Sequence, residues 1–371
     1  MKTLLFTLEY PPFYGGVANY YGGLVKHWPE PRDILVLDNN GSKLINDKLP
    51  FLKWLPAVWR LWRVVKKEKI GHILVGHVLP LGTVVYIVLF CIKMPYSVIL
   101  HGMDLTLALK SVRKRWLVKK ILGGAQNIIC GNSYTAEMAR QVTSEMEKKK
   151  VAVVNPGVEN RITHNAQLIT LIKKKYNLDN KIVLLSVGRL VKRKGFDKVI
   201  ESLPEVLKEA PNPPAGRAGL VYAIVGNGAE ENNLKFKIKN LKLKNNVLIF
   251  NNANNNERDA WLDVCDIFIM PARDIAGDFE GFGIVYLEAN LAGKPVIAGD
   301  SGGVRDAVAD GINGILVNPE SVEEIAAAIV KLAKDENLRK KLGEQGRERA
   351  VKEFNWEGQT RKIYELLISN S

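Results

Sequence analysis

Short β-branched runs alternate along the chain with stretches whose apolar positions recur at helical spacing. The strands this pattern predicts are Thr3–Thr7, Ile34–Leu37, Ile73–Val75, Ser97–Leu100, Asn127–Cys130 and Val151–Val154. After a break come Val183–Val187, Val221–Val225, Val247–Phe250, Ile267–Met270, Val296–Ala298 and Gly314–Val317. Helical patterns lie between most of them, as at Phe196–Glu209 and Val322–Lys334. Strand and helix in alternation is the mark of parallel sheets wound on both faces. Two sets of six strands therefore predict an α/β chain of two doubly wound, Rossmann-like domains. Two such domains facing each other make a cleft at the carboxyl ends of their strands, where ligands of this architecture bind.

The expected division is 1–158 with 355–371 for the first domain and 159–354 for the second. The link is read at Asn155–Asn180, which holds Pro156-Gly157 and a short polar helix. A second joint near Phe354–Trp356 would let the last helix return to the first domain. Ala210–Gly219 and Asn251–Asn256 read as loops. The N-terminal residues read as a first strand and not as a signal peptide, because Glu9 and Pro11 interrupt the apolar stretch too early. Ile70–Ile92 carries no charged residue over 23 positions, long enough to span a bilayer. His72, His77, Pro80 and three glycines divide it better into a buried strand, a Pro-Leu-Gly turn and a helix over Thr83–Ile92.

A length of 371 residues agrees with two domains, since single cores stop growing at roughly 250–300 residues. Charge adds an asymmetry. Residues 1–155 carry 22 Lys and Arg against 10 Asp and Glu, whereas the remaining 216 carry 31 against 29. The basic first part points to an anionic partner. Cys91, Cys130 and Cys265 are scattered and form no C-x-x-C pair, which argues against a zinc site or a disulfide framework and for a reduced, cytoplasmic setting.

The segment Phe279-Glu280-Gly281-Phe282-Gly283-Ile284-Val285-Tyr286-Leu287-Glu288 is richest in candidate chemistry. Were all eight steps from Glu280 to Glu288 helical, the carboxylates would stand about 12 Å apart, too far for a glycosidase pair. A loop-to-helix junction fits better, with amides near Gly283 and Ile284 open to an anion and the carboxylates open to hydroxyls. Phosphate beside sugar hydroxyls suggests a nucleotide-sugar; two surface glutamates at a glycine-rich turn is the plainer alternative. Gly188-Arg189-Leu190-Val191-Lys192-Arg193-Lys194-Gly195 follows a strand and precedes a helix. Arg189 suits bidentate phosphate binding and Lys194 adds a point charge, unless the loop is merely solvated. Gly226-Asn227-Gly228 lacks the third glycine of a dinucleotide fingerprint, which argues against a dehydrogenase.

Together these residues resemble the retaining nucleotide-sugar glycosyltransferases of family 4, which have the GT-B fold. The matching segments are Glu280 through Glu288, Gly188-Arg189 with Lys194-Gly195, and Gly226-Asn227-Gly228-Ala229-Glu230. Gly293-Lys294-Pro295-Val296-Ile297-Ala298, Gly302-Gly303 and Gly311 to Val317 extend the match. In the first half, Gly15-Gly16-Val17-Ala18 and His101-Gly102-Met103-Asp104 fit more loosely. The resemblance implies that Arg189 and Lys194 bind the donor diphosphate, Glu288 the ribose and Glu280 the donor sugar. It further implies that Gly226, Gly283, Ile284 and Val285 line the donor site. His101 would stand beside the reacting sugar with Asp104 nearby, and Gly15 and Gly16 would approach the phosphates. No Asp-x-Asp motif occurs, so no metal and no cofactor is expected, the sugar nucleotide being a co-substrate.

Two departures stand out. Pro271-to-Glu280 is longer than the commonest family version and is similar to members that mannosylate lipid acceptors. Asn251–Asn256 replaces a glycine-containing turn where the base is met. Phe51–Lys69 holds three tryptophans, six cations and one acid, and Lys110–Lys120 six cations and no acid. Tryptophan and leucine beside cations suit an amphipathic helix on an anionic membrane surface, at the inner face of the membrane; helices packed on the sheet are the alternative. No nucleic-acid module is evident. The expected partners are thus a nucleotide-sugar donor, an acceptor lipid or glycan and an anionic membrane surface. An epimerase of the same architecture and a non-catalytic sugar-nucleotide-binding subunit are the rival readings.

Overall fold

The computed structural model describes residues 1–13, 15–46, 48, 53–89, 91–144, 148, 150–159, 165–209 and 219–369. It has two compact units, Met1–Gly157 with Phe354–Ser371, and Val158–Glu353.

The first unit is built on β1 (Thr3–Phe6), β2 (Ile34–Leu37), β3 (His72–Val75), β4 (Tyr96–Leu100), β5 (Ile128–Cys130) and β6 (Val151–Val153). All pair in parallel in the order β2-β1-β3-β4-β5-β6, with Thr3 opposite both Ile34 and His72. Parallel strands need crossovers, and these place helices on both faces. One face carries the helices Leu55–Glu68, Leu81–Val88 and Val112–Gly124, whose Leu61, Val84 and Ile121 pack with Phe6 and Val98. The other carries Gly16–Lys26 and Trp356–Ile368, whose Leu24 and Ile363 pack with Leu5 and Ile99.

The last helix joins that face by shape and by polar contact. A Cβ on Gly23 or on Gly157 would come within 2.3 or 2.5 Å of the Trp356 ring, so only glycine admits the indole at both places. Within the sheet, His72 Nε2 meets the Ser97 hydroxyl at 3.0 Å, and the Asn127 amide donates to Ser97 Oγ at 3.2 Å. The same amide donates to the Leu366 carbonyl at 3.1 Å, tying the strands to the final helix.

The second unit holds β7 (Ile182–Val187), β8 (Leu220–Val225), β9 (Val247–Phe250), β10 (Ile267–Met270), β11 (Val296–Gly299) and β12 (Gly314–Val317). The order β12-β11-β10-β7-β8-β9 reverses direction between β7 and β10. That pair is the topological switch point, beyond whose carboxyl ends a crevice opens.

Two expectations differ from the structure. The helix in the uncharged run starts at Leu81, not Thr83, and ends at Val88, with Pro80 as its N-cap. Gly82 lies inside it because the helix passes close to Ile121, which a Cβ would meet at 2.9 Å; glycine here serves packing and makes no turn. Among the described residues no helix is long and apolar enough to cross a membrane. Asn255 and Asn256 open the helix Asn255–Val264 instead of closing a loop. Asn254 Oδ1 accepts from the Glu257 amide at 3.0 Å while Glu257 Oε2 accepts from the Asn254 amide at 2.9 Å, a reciprocal cap that starts the helix there. From Val158 onward the segment read as a link belongs to the second unit. Its helix Ala166–Tyr176 buries Ile172 and sets the Tyr176 ring 5.2 Å from that of Phe250. The loop read at Ala210–Gly219 lies outside the described residues except for Gly219, and Phe51 and Leu52 of the first basic stretch do likewise.

Candidate active site

Beyond β7 the chain passes Gly188 and the exposed Arg189, then tightens into a 3-10 turn over Lys192–Lys194. Gly195 ends the turn at φ +76, where a Cβ would lie 2.1 Å from the Pro271 carbonyl oxygen. The loops after β7 and β10 are therefore in backbone contact, which no other residue at 195 would allow. Arg273 fastens the same contact: its amide donates to the Arg193 carbonyl at 2.8 Å and its buried guanidinium to Asp197 at 2.8 Å.

This contact sets the turn's cations against the acidic segment. Arg193 Nη1 reaches Glu280 Oε2 at 2.6 Å and Lys194 Nζ reaches the same oxygen at 2.5 Å. Arg193 Nε also meets Asp278 at 3.0 Å. Glu280 and Lys194 are both buried. Burial pushes the Glu280 carboxyl up, but Lys194 and Arg193 outweigh it and hold the group below its ordinary range. The main chain of Glu280 is pinned by the Gly303 amide at 3.0 Å, and Gly302 at φ +58 would clash with it given a Cβ.

Three residues on, Gly283 adopts φ +77 and caps the helix Ile284–Leu291. No side chain caps this N-terminus and no acid lies in its first turn, so the amides of Ile284 and Val285 start a positive helix end. Glu288 is half-buried on the second turn. It lies in electrostatic reach of Arg258, whose guanidinium is lowered by burial but raised more by Glu288 and Asp259. Farther along, the buried Asn290 and Asn313 exchange a 2.7 Å amide bond that ties this helix to the turn before β12. Gly226 has a structural reason of its own. A Cβ there would lie 1.9 Å from the Gly188 carbonyl oxygen, so it lets the ends of β7 and β8 meet.

In the first unit His101 ends β4 between Tyr20 and Tyr21, whose rings meet it edge-on at 5.1 and 5.3 Å. The Tyr21 hydroxyl donates to the Gly76 carbonyl at 2.6 Å and lies 2.8 Å from His101 Nε2. Its one proton being spent on Gly76, it accepts from His101, which is therefore the Nε2–H tautomer with a bare Nδ1. Burial, helped by His77, lowers the imidazole's pKa to about 3, so the ring is neutral. Asp104, in the first turn of the helix Met103–Leu109, accepts the His101 amide on Oδ1 at 3.2 Å. Its buried Oδ2 has no hydrogen-bond partner among the described residues. Burial raises the Asp104 carboxyl against the pull of His77. His77 stands near this group and 3.8 Å from Glu9. Gly15 and Gly16 open the helix Gly16–Lys26, again without a side-chain cap, and Gly15 is extended at φ 173.

The structure thus gathers Lys194 and Glu280 with the start of the helix that carries Glu288, and separately His101 with Asp104. Arg189 is on the loop edge, exposed. Arg193, Arg273 and Tyr21 were missed by sequence reasoning. The run Lys192-Arg193-Lys194 was the signal for the first, since a 3-10 turn points successive side chains to different sides. Among the described residues, no group of three or more His, Cys, Asp or Glu is placed to hold a metal ion.

Residues 169–349 match the family described as Glycosyl transferases group 1. The chain is 27% identical over 385 residues to an uncharacterised glycosyltransferase of Methanocaldococcus jannaschii, covering 99% of each. It is 26% identical over 382 residues to the GDP-mannose-dependent alpha-(1-6)-phosphatidylinositol monomannoside mannosyltransferase of Mycolicibacterium smegmatis, covering 98% of this chain and 97% of that one. The crystal structure of Anabaena Alr3699/HepE in complex with UDP superposes with a TM-score of 0.79 at 20% identity over the full length of both chains. The group 1 match thus lies in the second unit, and the chain, with its two parallel six-stranded sheets, has the GT-B fold and is a glycosyltransferase that uses a nucleoside diphosphate sugar.

Proposed function

We propose that the enzyme moves mannose or another hexose from its nucleoside diphosphate to a hydroxyl of a lipid or glycan, with retention and without a metal ion. One observation carries this reading: the buried Glu280 carboxylate held by Arg193 and Lys194, three residues before an uncapped helix N-terminus, at the switch point of the second sheet. Charge develops on the diphosphate as it leaves, and fixed donors aimed at that charge lower the barrier. Arg189, Lys194 and the amides of Ile284 and Val285 are those donors. They take the part a divalent cation plays elsewhere. Both cations occupy Oε2 of Glu280, so Oε1 accepts from a sugar hydroxyl, and Glu288 accepts from the ribose. The first unit takes the acceptor, with Asp104 Oδ2 and the bare His101 Nδ1 as its hydrogen-bond acceptors. Retention and the lipid or glycan class of acceptor draw on the resemblance of the Glu280–Glu288 segment and on the activity for which the Mycolicibacterium smegmatis relative is named. The basic helices of the first unit support an acceptor at an anionic membrane.

A panel of GDP- and UDP-sugars tests the reading by thermal stabilisation and by transfer to phosphatidylinositol and to free sugars. The expected result is stabilisation by one nucleotide class and a glycosylated product with the donor's anomeric configuration. Donor isomerised with no acceptor product would replace the transferase by an epimerase, and binding without turnover would make the chain a binding subunit.

A further inference from the structure

The helices Leu55–Glu68, Leu81–Val88 and Val112–Gly124 turn their apolar stripes inward on one sheet face, yet the outward side of the layer is not an ordinary polar surface. Trp59, Trp62 and Trp116 are 55%, 41% and 60% exposed, and Ile87 between them 38%. A shallow groove of about 440 Å³ runs between the first two helices, walled by Leu55, Val58, Trp59, Trp62, Ile87 and Cys91. Its walls are almost wholly apolar. Each exposed indole carries a cation: Arg63 stands 5.2 Å over the Trp59 ring, Lys66 4.4 Å over Trp62 and Lys120 6.0 Å over Trp116. The helices Leu55–Glu68 and Val112–Gly124 hold nine Lys and Arg and a single acid, Glu68, itself bonded to Lys2 at 3.0 Å.

Three features must be matched by whatever covers this layer. It must accept apolar wedges, it must be anionic, and it must be extended enough to meet two helices with a third between them. Indole rings are amphipathic and settle where apolar chains meet polar headgroups. Cations on the same helix face then reach phosphates at that level. A second copy of the chain would press nine cations against nine, which like-charge repulsion disfavours.

We propose that this helix layer is a docking surface for a bilayer containing anionic lipid, with Trp59, Trp62 and Trp116 seated at headgroup depth and the groove taking acyl chain. The proposal rests on the membrane acceptor of the proposed function and deepens it, while its tests read lipid binding and not sugar transfer. Co-sedimentation tests it with vesicles of phosphatidylcholine alone and of an equal mixture with phosphatidylglycerol. Binding is expected to the mixture only and to weaken as salt rises. Brominated acyl chains are expected to quench the tryptophans, a readout that needs no variant. Trp59→Ser with Trp62→Ser, and separately Arg113, Lys114, Arg115 and Lys119 each to Gln, are each expected to cut binding at least tenfold. Both variants keep the wild-type response to donor nucleotide, so a folding fault is distinguishable. Equal binding to neutral vesicles, absent quenching, or self-association of the wild type that the tryptophan variant abolishes would each overturn the proposal.

Discussion

Tyr21 accepts the Nε2 proton of His101 because its own proton is given to Gly76, so a carbonyl on one strand end sets the tautomer of an imidazole on another. The aromatic pocket and the low pKa make that imidazole a hydrogen-bond acceptor at Nδ1, not a cation. Nitrogen chemical shifts are expected to show a single Nε2–H tautomer in the wild type and a mixture in Tyr21→Phe. The variant also leaves the Gly76 carbonyl unpaired, which costs about 1–3 kcal/mol in urea unfolding. An unchanged tautomer in Tyr21→Phe would remove the tyrosine from this role.

Arg193→Ala and Lys194→Ala each leave Glu280 with one cation where it had two. Breaking a buried ion pair costs about 3–5 kcal/mol, and losing a donor to a developing charge costs about 2.7–4 kcal/mol of barrier. The expected outcome is a fall in kcat of at least a hundredfold for Lys194→Ala, with donor KM less affected. For Arg193→Ala the expectation is a rise in the Glu280 pKa, seen as an acid limb of the rate profile moved to higher pH. Lys194→Arg should rescue little, because a planar guanidinium does not fit the space of a buried ammonium.

Activity is expected to survive chelation. The fixed cations at the β7 turn already carry the charge a bound metal would supply, so transfer assayed in EDTA should match that in buffer. Loss restored by Mg²⁺ or Mn²⁺ would refute this.

The fold should lose stability as the medium turns acid. His72 is buried against Ser97 with its pKa lowered to about 4, and His101 to about 3. Unfolded histidines take protons near 6.5. Between that value and about 4 the unfolded chain binds more protons, so stability falls by about 1.4 kcal/mol per pH unit for each histidine. The slope from His72 ends near pH 4 and that from His101 near 3. Asp104, whose pKa is raised, runs the other way in the carboxylate range. Urea midpoints across this window check the slope, and His72→Gln should remove about half of it.

Gly23→Ala tests whether shape outweighs propensity. In a helix the change ordinarily gains up to about 1 kcal/mol. Here the new Cβ would sit 2.3 Å from the Trp356 ring, and overpacking costs about 1–3 kcal/mol. A net loss is expected in thermal unfolding, larger for Gly157→Val, and Trp356→Leu should relieve it.

The sheets were legible in sequence because a strand covered on both faces writes an unbroken apolar run, and every one of the twelve lies within two residues of its expected ends. Glu280 and Lys194 were legible because each belongs to a short motif. What pairs them was not: the contact at Gly195 that brings them together depends on the approach of Pro271, 76 positions away. Tyr21 and His101 lie 80 residues apart, and their bond depends on the helix after β1 reaching the end of β4 across β3. Gly82 looked like a turn because its true reason, the nearness of Ile121, is tertiary.

The bond from Asn127 to Leu366 spans 239 residues and has a consequence for synthesis. As the chain leaves the ribosome, the strands of the first unit emerge early, but the helix that covers Leu5, Leu74 and Ile99 arrives last. The second unit, contiguous from Val158 to Glu353, is complete before that helix exists. Assembly is therefore out of order, with the later-made unit able to close while the earlier one waits with an apolar sheet face bare. Chains stalled before Phe354 should be cut by protease in their first unit and resist it in their second, and a chaperone would find its target on that waiting face.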